Sequence, residues 1–318
     1  MSLLSIPYAS WLADFVALGH RQGGVEVQGR KMIESFLLRS GVDFLVQEFN
    51  TRLPRYDHVS LVADGAVVPC LPTGLRSGEI PNQYHLLSSL ISSQKNIDDT
   101  NINFNPRCPG AISQANFYFA PSVAVDALDI PTLVQAKEVN GIVEVVPVDH
   151  VSANILVGNT IDPEYIVFTH YDSIGPGAID NASGTYTVVR ACVDARETLS
   201  NTLYVIGGNE ELSYDYPVYW GRGYRAFEEE YGELLEKAKR MLIVDSVGNT
   251  KTTIHDDPRL LKLGFPIRSM DKYLQKTAFL MGDFDNLMQV YQSSADTLDR
   301  LSSSYVDDVY NALIGAVK

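Results

Sequence analysis

Tyr165–Gly184, YIVFTHYDSIGPGAIDNASG, decides how the rest of the chain is read. The apolar run Ile166–Val167–Phe168 has the length and composition of a buried strand, and it runs straight into His170. Gly175–Pro176–Gly177 marks a turn, after which Asp180 and Asn181 open a helical segment that reads as Asn181–Thr198. Such a strand delivers a histidine at its C-terminal end, and the loop carries a carboxylate back beside it. In open α/β sheets, sites gather at that edge. Imidazole and carboxylate are both ligand types that zinc accepts.

Downstream, three more apolar runs read as strands: Thr202–Ile206, Met241–Val244 and Thr277–Met281. The second half of 217–239 reads as helix. Ser303–Val317 reads as a closing helix with Val306, Val309, Tyr310, Leu313 and Ile314 inward. Upstream, Trp11, Leu12, Phe15, Val16 and Leu18 have helical spacing within 7–18. A second helix is expected over Glu26–Ser40, stopped by Gly41, and a strand over Val42–Phe49. Alternating strands and helices predict an α/β fold, a mostly parallel mixed sheet flanked by helices.

Between residues 57 and 147 the texture changes. His58–Leu71 reads as strand, Asp64-Gly65 turn, strand; 72–110 is rich in Ser, Asn, Pro and Gly; Asn116–Phe119 and Ile142–Val146 read as strands. A structureless excursion of this length is unusual. The expected organisation is therefore a discontinuous α/β domain, 1–56 and 148–318, that also holds a strand at Ala153–Val157, with a small β-rich inserted domain at 57–147.

The 318 residues carry 39 Asp and Glu against 25 Lys and Arg, a formal net charge of −14. That balance argues against nucleic acid and against anionic membrane surfaces as partners, because phosphate binding needs clustered basic residues. No apolar run is long enough to span a membrane. The N-terminal MSLLSIPYASWLADF lacks the basic start of a secretory signal, so the default expectation is a cytoplasmic protein. Cys70, Cys108 and Cys192 form no CxxC pair and read as three separate thiols; a Cys70–Cys108 bridge would require those segments to meet. There is no GxxxxGK[ST] loop and no GxSxG elbow. His85 and His150 lack partner spacing and receive no role; His20, in a loop, reads as a capping or solvent-facing histidine rather than a ligand.

His170, Asp180, Glu210–Glu211 and Asp245 all fall at or just beyond strand ends. Carboxylates converging on one sheet edge repel one another unless a cation neutralises them, and mixed histidine and carboxylate ligation suits zinc. Neighbouring side chains on a turn diverge, so one glutamate of the pair can bind metal while the other accepts a proton from an activated water. Taken singly, each of these acids would also serve as a helix cap.

These stretches together resemble the zinc-dependent M28 aminopeptidases. His170-Tyr171-Asp172-Ser173 resembles the first-ligand motif and Ala178–Gly184 the bridging-aspartate motif. Glu210-Glu211 resembles the paired glutamates, Leu242–Gly248 the third-ligand strand, and Ser294–Asp299 the last motif. Arg21–Gly41 is a weaker match, and the insert resembles a protease-associated (PA) domain. The resemblance implies one or two zinc ions per chain. His170 and Asp245 would bind one, Asp180 would bridge, Glu211 would bind the second, Glu210 would be the general base, and Asp172 would orient His170. Gln292 stands where the family places its last histidine ligand, and an amide oxygen is a poorer zinc ligand. Ser213–Trp220 is aromatic where the family runs through small residues. The activity implied is aminopeptidase hydrolysis of N-terminal peptide bonds, with peptides as substrates; self-association stays open. The competing implication, carried by Gln292, is a single-metal or non-catalytic member that acts as a binding module.

Overall fold

The computed structural model describes residues 6–91 and 98–318. Met1–Ser5, at the head of the stretch read for a leader, and 92–97, inside the irregular 72–110 stretch, lie outside the described residues. The chain divides into two compact units. The first is Met1–Thr51, His150–Leu287 and Asp296–Lys318; the second is Arg52–Asp149 with Met288–Ala295.

The first unit is built on four parallel strands, in the order Thr277–Met281, Arg240–Val244, Tyr165–His170, Thr202–Gly207. Antiparallel neighbours flank them: Thr253–His255 on one side and the strand Val139–Gly158 on the other. This is the mixed sheet expected from the alternation of elements, parallel over its four central strands, with antiparallel pairs beyond them. Tyr165–His170 is buried at every position after its first, and Thr202–Gly207 throughout. Strands covered on both faces read as continuous apolar runs, which is why they were legible.

Side-chain alternation sends Val167 to one face and Ile166 and Phe168 to the other. On the first face Val167 shares a core with Phe15, Ile33, Val189 and Val309, from the helices Ile6–Val16, Gly24–Arg39, Ser183–Asp194 and Ser303–Ala316. On the second, Phe168 meets the rings of Tyr224, Phe227 and Phe265, with centroids 5.8, 5.3 and 4.7 Å away. Tyr224 and Phe227 belong to the helix Arg222–Lys237. Helices thus cover both sheet faces and leave the strand ends open as the place for a site.

In the second unit a four-stranded sheet runs Cys70–Pro72, Ser122–Val125, Asn101–Phe104, His85–Ser88. Asp64 and Gly65 form the expected two-residue turn, with φ of 47° and 82° joining Ala63 to Ala66. Two expectations need correction. Asn116–Phe119 forms no ladder; Tyr118 makes one isolated bridge to Gly74, and the buried run Ser122–Val125 is the strand instead. Ile142–Val146 and Ala153–Val157 are parts of a single 20-residue strand. Pro147 does not end it, because residues 146–149 are all exposed and a missing N–H costs little at such positions. All three cysteines are free thiols. Among the described residues, no helix is long and apolar enough to cross a membrane.

Candidate metal centre

His170 ends its strand opposite Gly207, and its carbonyl accepts a 2.6 Å hydrogen bond from the Thr185 hydroxyl. The ring is buried and its two nitrogens face different partners. Nδ1 lies 3.2 Å from the Asp172 carbonyl oxygen and 3.5 Å from Asp172 Oδ1. Nε2 lies 3.4 Å from Asp180 Oδ1 and 3.5 Å from Asp245 Oδ1. A proton held on Nδ1 by Asp172 leaves Nε2 to the two acids, which is the arrangement a histidine ligand needs.

Asp180 is fixed by the backbone around it. The Asp296 carboxylate accepts the N–H groups of Ile179 at 2.8 Å and Asp180 at 3.0 Å. Asn181 donates to Thr169 Oγ1 at 3.1 Å and to the Val244 carbonyl at 2.9 Å, tying the loop to the strands that carry His170 and Asp245. Gly184 must be glycine here, since a Cβ would collide with Asn181 Oδ1 and Val244 O. Gly177, with φ of 55°, supplies the left-handed turn that returns the chain.

Glu210 and Glu211 follow the strand Thr202–Gly207 through a turn whose Asn209 has φ of 51°. Asp172 holds that turn: its Oδ1 accepts the Glu210 N–H at 2.9 Å and its Oδ2 accepts the Glu211 N–H at 2.9 Å and the Gln22 amide at 3.0 Å. One carboxylate therefore sets both the imidazole and the glutamate pair. Asp172→Asn puts an N–H group against one of the two backbone N–H donors and removes the charge facing His170. The expected result is zinc binding weakened by about 10–100-fold, read by chelator competition.

His170, Asp180 and Glu211 each offer a ligand atom, all within 4.8 Å of one another, and Asp245 joins through His170 Nε2. Ligands about 2.0–2.1 Å from a tetrahedral zinc stand roughly 3.4 Å apart, so the spacings around Nε2 suit that ion. The electrostatics point the same way. Burial pushes Glu210 up to about 8 and Asp296 up to about 7, and it raises Asp180 and Glu211 as well. Burial works against a charged His170, yet hydrogen bonds with Asp172, Asp180 and Asp245 raise it well above its ordinary value. Asp172 runs the other way: burial favours its neutral form, but His170 and the N–H groups of Glu211 and Glu210 hold it low. Without a metal the cluster retains protons; a cation is what ionised carboxylates in this space require.

The first unit thus brings together His170, Asp172, Asp180, Glu210, Glu211 and Asp245. Gln292 belongs to the segment Met288–Ala295 of the second unit, where its carbonyl accepts the Gln114 N–H at 2.8 Å and its φ is 46°. His255 contacts Thr253 on the outermost strand, and His20 accepts the Gly175 N–H at 3.2 Å. His150, given no role from sequence, forms a 2.9 Å contact with buried Glu26. The aromatic loop Ser213–Trp220 is held within the first unit, with Trp220 Nε1 donating to the Leu263 carbonyl at 2.7 Å. Asp296 and Arg21 were missed as individual residues. Their partners lie more than a hundred positions away, so the matched stretches Ser294–Asp299 and Arg21–Gly41 mark the segments but not what these two side chains hold.

No protein-family model and no curated protein sequence matches the chain. Solved structures do. A zinc aminopeptidase from Bacillus subtilis superposes with a TM-score of 0.69 at 15% identity, over 98% of this chain and 93% of its own. An aminopeptidase from Aneurinibacillus sp. strain AM-1 gives 0.59 at 14%, over 97% and 92%. A glutaminyl cyclase from Fimbriiglobus ruber gives 0.53 at 11%, over 98% and 93%. At these identities the likeness is one of fold, and the chain has the fold that zinc aminopeptidases share with glutaminyl cyclases.

Proposed function

We propose that the chain is a metal-dependent aminopeptidase that removes N-terminal residues from peptides. The observation that carries this reading is the convergence of His170, Asp180, Glu211 and Asp245 at one sheet edge, with Glu210 buried beside them. The fold shared with aminopeptidases supports it. The four residues are the set that would hold zinc. Zinc there supplies Lewis acidity and makes water a stronger acid. Glu210 is the proton acceptor: its carboxylate is buried in the same cluster, and with zinc bound it would be ionised and able to take the proton from water. Asp172 keeps His170 in one tautomer and holds the Glu210–Glu211 turn in place. Glu210 later returns the proton to the leaving amine.

The test is the zinc-loaded protein on short peptides with free or acetylated N-termini, followed by mass spectrometry, with zinc per chain measured on the same sample. Stepwise loss of the first residue from the free-amine peptides alone is expected. Ammonia loss from N-terminal glutamine without cleavage would replace this reading with acyl transfer of the cyclase kind. A chain that takes up no zinc and cleaves nothing would leave the binding-module reading.

A further inference from the structure

Among the described residues, the two largest fully buried side chains are arginines, Arg21 and Arg225. Arg21 gives its guanidinium to main-chain oxygens: Nε to Tyr171 at 2.8 Å, Nη1 to Pro176 at 2.7 Å and Nη2 to Gly177 at 3.1 Å. Its own backbone pairs with Ser173, donating at 3.1 Å and accepting at 3.4 Å. Every one of these contacts falls on 171–177, the loop between His170 and Asp180. The Phe15 ring packs on the guanidinium, 4.7 Å from its centroid.

A buried cation costs several kcal/mol unless charge and hydrogen bonds offset it. Here each of the three guanidinium nitrogens gives one hydrogen bond to a carbonyl. Burial pulls Arg21 down to about 10, with Asp172, Asp296, Glu211 and Asp180 opposing that shift, so the side chain stays charged at neutral pH. The planar fork spreads its donors over three nitrogens, whereas a lysine ammonium, which can also meet three carbonyls as Lys276 does, carries every donor on one nitrogen.

We propose that Arg21 is the positioning residue of the metal centre, fastening the loop between His170 and Asp180 and lending a fixed positive charge to the carboxylates around it. This role rests on the metal-dependent reading of the site. Arg225 provides the comparison. It is equally buried and also bonds carbonyls, those of Trp220 at 2.5 Å and Val218 at 3.1 Å, but on the loop that follows Glu211. Both arginines tie down a loop through carbonyls, but of the two it is Arg21 that holds a segment bounded by two candidate ligands.

The experiment measures zinc affinity of the full chain by competition with a chelator for wild type, Arg21→Lys, Arg21→Met and Arg225→Lys, with the visible spectrum of the cobalt-substituted proteins recorded alongside. Both Arg21 variants are expected to bind zinc about 10–100-fold more weakly and to show an altered cobalt spectrum, with circular dichroism unchanged. Arg225→Lys is expected to stay within about threefold of wild type. Wild-type affinity and spectrum in Arg21→Lys would overturn the role, as would an equal loss in Arg225→Lys. A wild-type chain that binds neither metal would instead remove the metal-dependent reading, and this role with it.

Discussion

Glu210→Gln is expected to slow peptide hydrolysis by about 10²–10⁴-fold while zinc content stays at the wild-type level. The substitution is nearly isosteric, and the Glu210 N–H that anchors the turn to Asp172 is untouched. The prediction follows from the proposed roles, in which His170, Asp180, Glu211 and Asp245 would hold the metal and Glu210 would move the proton. A glutamine amide cannot accept one at neutral pH. The measurement pairs the cleavage rate with elemental analysis of the same sample. Loss of zinc along with activity would make Glu210 a ligand and leave the base unassigned.

The second large effect concerns stability. Asp296 and Glu210 hold their protons up to about 7 and about 8, chiefly because they are buried, and Asp180 and Glu211 are raised for the same reason. In the unfolded chain such groups titrate near 4. The folded metal-free protein therefore binds more protons than the unfolded one between about pH 4 and 8, and its stability falls as pH rises through that window. His170 has the same sign, since its folded value is raised above 6.5. Asp172 is opposed, but its lowered value acts only below about pH 4. Metal-stripped protein is expected to unfold several degrees lower at pH 8 than at pH 6. Saturating zinc should flatten that slope and add stability, about 4 kcal/mol at a thousandfold excess over Kd. Thermal unfolding at a series of pH values, with chelator and with zinc, measures both. A flat or rising profile for the stripped protein would mean that the carboxylates are ionised in the fold with neither proton nor metal.

Much of this architecture was legible in the sequence because buried parallel strands are apolar along their whole length. Ile166–Phe168, Leu203–Ile206 and Leu242–Val244 have that character, and the residues just past them are the candidate ligands. Periodicity also located the helices that cover the sheet. It failed where exposure varies along a strand: Val139–Gly158 alternates over its first residues, is exposed at 146–149 and buried at 152–157, so it read as two elements. It failed as well at Asn116–Phe119, whose alternation is met by single contacts such as Asn116 with the Ser89 carbonyl. The supporting residues were hidden for another reason. Asp172 meets Glu210 across 38 positions, Asp296 meets Asp180 across 116, and Arg21 meets Tyr171 across 150. Bonds of that span leave no periodic trace, because the fold alone decides which residues face one another.

The His170 strand lies between two parallel neighbours and is covered on both faces. Amide groups in such a position exchange with solvent only when the whole unit opens. His170, a candidate ligand, is thus rooted in a strand expected to exchange slowly, while Asp180 and Glu211 follow turns beyond strand ends. Native-state hydrogen exchange is expected to find the amides of the His170 strand protected with chelator as well as with zinc.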